Sequence, residues 1–302
     1  SKEGRMVPTL LLSMSRGVYT LATVARIAAS GLFCKGVPID LCRGAWWSSP
    51  TRVALRKDSS VITTILPCAG KGTRLGLPYP KELHRIAKDQ SLIDFSLAHA
   101  LNAQDHVDKV VTVVAPGKEN VGDYAESRLN GSLRLERVYF NEAYVEWPGS
   151  IKSAEMHFGA FNVALLPDSV LRLPKGERLM QRYQSLFDDG ADLVFAYVPQ
   201  TDPQVLKALG ALQINDSTVT GFCDKPDPAD GNSYDGFWAS FGFSRAAGAK
   251  VLDFMMRSVA RQTVDINELS LDVRGFEIES YTELGTWPSM ARFLGSDRVL
   301  GD

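Results

Sequence analysis

The chain has 302 residues, of which 45% are apolar, and a formal net charge of −2. That apolar content is enough for the core of one large domain or two modest ones. The near-neutral charge argues against a nucleic-acid-binding surface, which requires a basic face. No apolar run reaches the roughly 18 residues needed to span a membrane. We therefore expect a globular protein that binds neither nucleic acid nor membranes.

The basic residues are concentrated at the beginning of the chain. Residues 1–57 contain nine lysines and arginines but only two acids, whereas acids are in excess in the rest. This boundary predicts a basic N-terminal extension of unknown role at residues 1–58, followed by a single domain at residues 59–302. A targeting segment, a translated upstream stretch and an ordinary basic appendage all fit the extension, and these alternatives stay open.

The four cysteines show neither C-x-x-C pairing nor dense spacing. This pattern favours free thiols in a reducing compartment over a disulfide framework or a zinc site. We therefore expect a cytoplasmic protein. The cysteines are Cys34, Cys42, Cys68 and Cys223.

Residues 61–66 form an apolar, β-branched run that predicts a buried parallel strand. The turn that follows, residues 69–74, has two glycines, which let backbone N–H groups approach an anion closely. Lys71, Arg74 and Lys81 add three cations near this turn. A strand, a glycine turn and cations together are typical of a phosphate-binding site. The simpler alternative is a tight turn with solvated lysines.

Beyond this turn, apolar strands alternate with helical patterns, as in a doubly wound sheet. Asn215-Asp216, between two short apolar runs, indicates a β-hairpin. The expected strands are 61–66, 110–114, 133–139, 161–166, 192–198, 211–214, 219–223, 237–243 and 276–281, and the expected helices are 91–102, 150–158, 178–188 and 250–258.

Asp168 follows the strand at residues 161–166, at a carboxyl end where open α/β sheets bind ligands. A divalent cation such as Mg²⁺ is held in proteins by one or two carboxylates together with substrate phosphates. Taken alone, an aspartate after a strand is more often a turn residue or a helix cap. Gly149-Ser150 precedes an expected helix, so that Ser150 can serve as its N-cap.

The motif L-P-C-A-G-K-G-T-R-L…P-K-E-L, at residues 66–83, resembles the signature of the sugar-1-phosphate nucleotidylyltransferases, also called nucleoside-diphosphate-sugar pyrophosphorylases. It is most similar to the UTP–glucose-1-phosphate uridylyltransferase and glucose-1-phosphate thymidylyltransferase branches. The resemblance covers about residues 61–293. It implies an α/β fold with a doubly wound, mostly parallel, Rossmann-like sheet and a small β-rich acceptor-binding part. The implied reaction transfers a nucleoside monophosphate from a nucleoside triphosphate to a sugar 1-phosphate and releases pyrophosphate.

The same resemblance implies a role for particular residues. Glu283, in Y-T-E-L-G-T-W, stands where the family has an aspartate, and a structural role for it stays open. The implied catalytic residues are Arg74, Lys81 and Lys225; the nucleotide-binding residues are Leu66, Ala69, Gly70, Lys71, Gly72, Thr73, Gly149 and Ser150; the acceptor-binding residues are Gly210, Asp224, Lys225 and Ser240; and the Mg²⁺ ligands are Asp168 and Glu283.

The motif W-A-S-F-G-F, at residues 238–243, departs from the family's N-A-G-x-Y and leaves the acceptor open. One alternative is therefore a CTP-dependent cytidylyltransferase that acts on an alcohol phosphate or a phosphonate. A catalytically silent subunit that binds nucleotide sugars is less favoured, because four of the implied site residues (Arg74, Lys81, Asp168 and Lys225) are present together. The expected partners are a nucleoside triphosphate and a phosphorylated small molecule, and a homo-oligomeric state stays open.

Overall fold

The computed structural model describes residues 61–144, 146–262 and 264–295. The predicted basic extension at residues 1–58 lies outside these ranges, so the division of the chain into two parts stays a prediction. Within these ranges, the helices are too short or too polar to cross a lipid bilayer.

The described chain folds into an α/β arrangement of strands and helices. Its strands are β1 (Ile62–Pro67), β2 (Arg85–Ala87), β3 (Gln90–Ser91), β4 (Val107–Val114), β5 (Arg134–Tyr139), β6 (Phe161–Ala164), β7 (Ser169–Arg172), β8 (Leu193–Pro199), β9 (Gly210–Asn215), β10 (Thr218–Asp224), β11 (Gly236–Ser244), β12 (Val273–Glu277) and β13 (Ser280–Glu283). Its helices are α1 (Leu92–Leu101), α2 (Glu119–Leu129), α3 (Glu146–Ser153), α4 (Leu179–Asp188), α5 (Pro203–Leu206), α6 (Gly248–Val259) and α7 (Trp287–Leu294).

Nine strands form one sheet in the order β5-β4-β1-β6-β11-β8-β12-β10-β9. The first four are parallel to one another, and β8 is parallel to β12. β11 lies antiparallel between β6 and β8, and β9 and β10 form the predicted hairpin. This topology confirms the predicted α/β fold; the half of the sheet formed by β5, β4, β1 and β6 is parallel, and the other half is mixed.

Strand β1 lies in the middle of the parallel part and is buried along its whole length. Ile62 and Leu66 contribute to one hydrophobic cluster, and Ile65 contributes to a second cluster on the opposite face. The first cluster is covered by α1, α2 and α4, and the second by α3 and α6. A parallel strand with both faces covered requires the continuous apolar run that residues 61–66 provide.

Two of the predicted elements differ from the structure. The helix expected at residues 150–158 begins at Glu146, so Ser150 lies inside α3 and is not its N-cap. Pro148 lies in the first turn of α3, where a proline is tolerated because its missing N–H has no intrahelical partner.

The strand expected at residues 276–281 is two strands in two different sheets. β12 pairs with β8, whereas β13 pairs with β7 in a separate two-stranded ribbon. The change of partner occurs between Ile278, whose N–H donates to Tyr197 O, and Glu279, whose N–H donates to Arg172 O. An apolar pattern carries no information about such a change, because both strands are partly buried.

Helix α1 carries a histidine whose ionisation is linked to folding. Burial lowers the pKa of His99. A hydrogen bond to the backbone of Leu171 opposes this effect, and the net result is a decrease from 6.5 to about 4. Between these pH values the unfolded chain binds a proton that the folded chain does not, so the free energy of unfolding decreases as the pH falls through this window. We expect the loss to be roughly 2 kcal/mol between pH 6.5 and 4. In urea titrations at both pH values, His99→Gln should remove this loss, and an unchanged pH dependence in the variant would contradict the assignment.

Candidate active site

A cavity of about 700 Å³ lies at the carboxyl ends of β1 and β6. Parallel sheets of this type bind ligands at that edge. We call it the cleft, and one side of it is formed by the glycine loop, residues 69–74. The other predicted site residues that line it are Lys81, Ser150, Asp168 and Glu283.

The glycine loop presents unpaired backbone amides. Leu75 N and Gly76 N both donate to Gly72 O and close the turn, in which Gly72 adopts a left-handed φ of 64°. Within the described part of the chain, none of the six amides of residues 69–74 donates a hydrogen bond. Consecutive free amides at the end of a buried strand form a concave site for an anion.

Lys81 and Asp168 form an ion pair at the base of the cleft. The distance from Lys81 Nζ to Asp168 Oδ2 is 2.5 Å, and the side chains are only 15% and 8% exposed. Burial alone would lower the pKa of Lys81, but the charge and the hydrogen bond of Asp168 raise it, and the net direction is upward. Lys81 is therefore a cation at neutral pH.

Arg74 and Glu283 form a second ion pair, which is nearer the surface. The distance from Arg74 Nη2 to Glu283 Oε1 is 2.6 Å, and the side chains are 58% and 37% exposed. Glu283 lies directly opposite Ser169 in the ribbon of β7 and β13, and Leu284 N donates to Asp168 O. Because Asp168 immediately precedes Ser169, this ribbon brings the two predicted metal ligands together.

Gly285 keeps the space beside both carboxylates open. A Cβ atom at this position would lie 2.7 Å from Asp168 Oδ2 and 2.9 Å from Glu283 Oε1. It would also lie 3.1 Å from Arg74 Nη2. Asp168 Oδ2 and Glu283 Oε1 therefore lie close to one another beside Gly285. Such a pair fits Mg²⁺, which takes one or two carboxylates and completes its shell with water and substrate phosphates. In the described ranges no three His, Cys, Asp or Glu side chains are grouped as a metal site, so oxygens from outside the protein would have to complete that shell.

Leu66 and Gly149 were predicted to bind nucleotide but do not line the cleft formed by the described residues. Leu66 is fully buried in β1. Gly149 lies under Tyr144, since a Cβ on it would be 2.6 Å from Tyr144 Cβ. Both residues thus support the residues that line the cleft.

The predicted acceptor-binding residues also lie outside this lining. Lys225 is half-exposed, and its Nζ lies 3.6 Å from Asp224 Oδ2. A Cβ on Gly210 would lie 2.0 Å from Trp238 Nε1, so the glycine allows the indole to pack on β9. Ser240 is 1% exposed and its hydroxyl is 2.8 Å from the Tyr183 hydroxyl in the core.

An aromatic wall of the cleft was not predicted from the sequence. Trp147 packs against Trp238, with ring centroids 5.3 Å apart, and against Phe241, with centroids 5.7 Å apart. Two residues of the unusual motif W-A-S-F-G-F therefore pack against Trp147, which lines the cleft. The only signal for this contact was the departure of that motif from the family pattern. The aromatic residues that line the cleft are Phe140, Tyr144, Trp147 and Tyr281.

No protein-family model matches the chain. The chain is 31% identical, over 180 residues, to 2-C-methyl-D-erythritol 4-phosphate cytidylyltransferase from Corynebacterium efficiens. This match covers 56% of the chain and 64% of the relative, so it spans less than two thirds of the relative's length.

Two solved structures resemble the described fold. The UTP-bound UGPase from Acinetobacter baumannii has a TM-score of 0.64 at 14% identity, over 78% of this chain and 92% of that chain. The inositol-1-phosphate CTP transferase from T. maritima has a TM-score of 0.58 at 14% identity, over 80% of this chain and 94% of that chain. The chain therefore has the fold of the sugar-phosphate nucleotidylyltransferases. This finding confirms the predicted fold class and agrees with the resemblance of the motif at residues 66–83.

Proposed function

We propose that the chain is a nucleotidylyltransferase that transfers a nucleoside monophosphate from a nucleoside triphosphate to a sugar 1-phosphate and releases pyrophosphate. One observation carries this proposal: the ion pairs Lys81–Asp168 and Arg74–Glu283 meet beside a loop with free amides, at the ligand-binding edge of the sheet. The fold and the motif at residues 66–83 support the same reaction.

The reaction requires positioning and charge neutralisation. An oxygen of the acceptor phosphate attacks the α-phosphorus in line, a new O–P bond forms, and the bond to the pyrophosphate oxygen breaks. The acceptor phosphate is already an anion at neutral pH, so it needs no general base. Arg74 and the amides of residues 69–74 bind and orient the triphosphate, and the cationic Lys81 stabilises charge that develops in the transition state.

Asp168 and Glu283 would hold Mg²⁺, because their carboxylates lie close together beside Gly285, where any side chain with a Cβ would displace them. The ion supplies positive charge to the phosphate oxygens when it is bound. Lys81 fixes the orientation of the Asp168 carboxylate through the 2.5 Å contact. Arg74 does the same for Glu283.

Lys225, Asp224 and Gly210 form our proposed acceptor side, at the end of the β9–β10 hairpin. Lys225 has a φ of 54°, which is uncommon for a residue other than glycine, and its N–H donates to Leu209 O over 2.8 Å. A residue held in this conformation by its surroundings is a candidate for a functional role. Its half-exposed ammonium can reach a phosphate group from solution.

The aromatic wall favours a second candidate function, a CTP-dependent cytidylyltransferase that acts on an alcohol phosphate or a phosphonate. Phe140, Tyr144 and Trp147 present flat aromatic surface to the cleft, where a hexose would require hydrogen-bonding groups. The relative with 31% identity is also named as a cytidylyltransferase. A catalytically silent nucleotide-sugar-binding subunit is the third candidate.

A pyrophosphate-release assay with Mg²⁺ separates these functions. The four nucleoside triphosphates are each combined with hexose 1-phosphates, phosphocholine and phosphonates. We expect release with one nucleotide and a hexose 1-phosphate, and its loss when EDTA is added. Release with only CTP and an alcohol phosphate or phosphonate would select the second candidate, and no release in any combination would select the silent subunit.

Arg74→Ala is expected to lower kcat/KM by about 100-fold or more, because it removes a cation from the triphosphate site. The side chain is 58% exposed, so the melting temperature should change little. Arg134→Ala is the matched control, since Arg134 is equally exposed and also forms an ion pair, on β5. Equal activities of the two variants in steady-state assays would exclude Arg74 from the site.

We also propose a cytoplasmic location. The proposal is supported by Cys68 and Cys223, which are free thiols among the described residues. Labelling of both thiols in unfolded protein purified without reductant would support this location.

A further inference from the structure

Behind the glycine loop lies a charged pair that the proposed reaction does not use. Lys118 immediately precedes α2, and its Nζ lies 3.1 Å from Glu82 Oε2. The Lys118 side chain is 14% exposed and the Glu82 side chain is completely buried. Burial of a carboxylate is costly without compensation, so this pair requires an explanation.

Lys118 joins the pair to the glycine loop. Its Nζ donates to Cys68 O over 3.0 Å and to Gly70 O over 2.5 Å, in addition to Glu82. The three donors of the ammonium group are therefore directed at three separate acceptors. One side chain thus ties together the end of β1, the glycine loop and the turn that contains Glu82.

These contacts set the direction of the loop amides. The peptide bonds of the described chain are trans, and in a planar trans peptide the carbonyl and the following N–H point in opposite directions. Because Cys68 O and Gly70 O point at Lys118, the N–H groups of Ala69 and Lys71 point away from it. Ala69 and Lys71 line the cleft, so Lys118 directs two free donors towards the anion site.

Glu82 holds Lys118 in place and is itself part of the site's framework. It follows Lys81 in a single 3₁₀ turn, Lys81–Leu83. Lys81 points to Asp168 in the cleft, whereas Glu82 points to Lys118. Burial raises the pKa of Glu82, and the charge of Lys118 opposes this shift. The turn therefore fixes Lys81 from one side and Lys118 from the other.

We propose that Lys118, held by Glu82, is the positioning residue of the glycine loop and directs the Ala69 and Lys71 amides at the phosphates of the nucleotide. This inference rests on the proposed function, since it assigns the loop to a polyphosphate. Lys118 itself does not line the cleft as the described residues define it.

The test is the affinity for inorganic tripolyphosphate in the presence of Mg²⁺, measured by calorimetry, which requires no turnover. We expect Lys118→Met to raise the Kd about tenfold or more, because two charge-assisted contacts that hold the loop are lost. In kinetic assays KM for the nucleoside triphosphate should rise in parallel, whereas KM for the acceptor should change less than about twofold. Lys207→Met, at an exposed lysine whose ammonium group donates to Gln204 Oε1, is the control and should bind as the wild type does.

Several outcomes would overturn the proposal. If Lys118→Met folds and its Kd is unchanged, whether or not its melting temperature changes, the Lys118–Glu82 pair serves stability alone. Should that variant not fold, Glu82→Gln gives the same test, because it removes the charge that holds Lys118 and should raise the Kd about threefold. Wild-type protein that binds no tripolyphosphate also overturns the proposal. Binding by the wild type without transfer from any nucleotide would instead refute the proposed reaction and leave this test intact.

Discussion

Asp168→Asn is expected to lower kcat by about a thousandfold while the protein remains folded. The substitution keeps the shape of the side chain and removes the negative charge that, with Glu283, would hold Mg²⁺. It also weakens the 2.5 Å contact that fixes Lys81. Steady-state pyrophosphate release, normalised to folded protein by circular dichroism, measures the effect. Activity close to that of the wild type would overturn the assignment of Asp168.

The control for this variant is a second buried carboxylate. Asp94 is 6% exposed and accepts hydrogen bonds from Arg128 Nε and the Tyr124 hydroxyl, away from the cleft. Asp94→Asn should lower the melting temperature but not the turnover of the folded protein. Because Asp168→Asn leaves Lys81 as a buried cation without its partner, the double variant Lys81→Met/Asp168→Asn separates instability from lost chemistry. It should regain stability and remain inactive.

Gly285→Ala is expected to lower kcat/KM by about 100-fold or more, with a smaller effect on stability. The new methyl group would lie within 3.1 Å of Asp168, Glu283 and Arg74, so at least one of these side chains must shift. The concentration of Mg²⁺ that gives half-maximal activity should rise as well. Titration of activity with Mg²⁺ measures both effects.

Gly295→Ala is the matched control for this substitution. Gly295 follows α7, and among the described residues an added Cβ would meet the Ala291 carbonyl oxygen alone, at 3.3 Å. We expect this variant to have the wild-type Mg²⁺ dependence. If Gly285→Ala behaved in the same way, the space beside the carboxylates would have no role in ion binding.

The centre of the fold could be predicted because its signals are local. Strand β1 is a continuous apolar run, and the glycine loop follows it directly, so both were predicted from adjacent residues. Asn215-Asp216 marked the β9–β10 hairpin in the same way, and Asp216 has the left-handed φ of 54° that such a turn requires.

Elements that depend on distant partners were missed. α2 has few apolar residues and a glycine in its interior, and its amphipathic face is defined only by packing on the sheet. Strand β7 was not predicted from the sequence, because it is defined by its pairing with β13. Lys118 could not be recognised as a residue of interest, because its three contacts come from parts of the chain that are far apart in the sequence.

The site itself was predicted in part. The glycine loop, Lys81, Asp168 and Glu283 meet at one cleft. The resemblance implied that Asp168 and Glu283 lie close together. In the structure, the β7–β13 ribbon is what brings these two side chains together. Leu66, Gly149 and Ser240 do not line the cleft, because a motif match does not say which of its residues face a ligand and which support those that do.

The two ion pairs make this end of the cleft electroneutral, with two positive and two negative side chains. A polyanion that entered alone would leave negative charge without compensation, and so would the removal of either cation. A polyanion that enters together with a divalent ion brings less uncompensated negative charge, because the ion neutralises part of it. We therefore expect the affinities for nucleotide and for divalent ion to be thermodynamically coupled, so that each raises the other by the same factor.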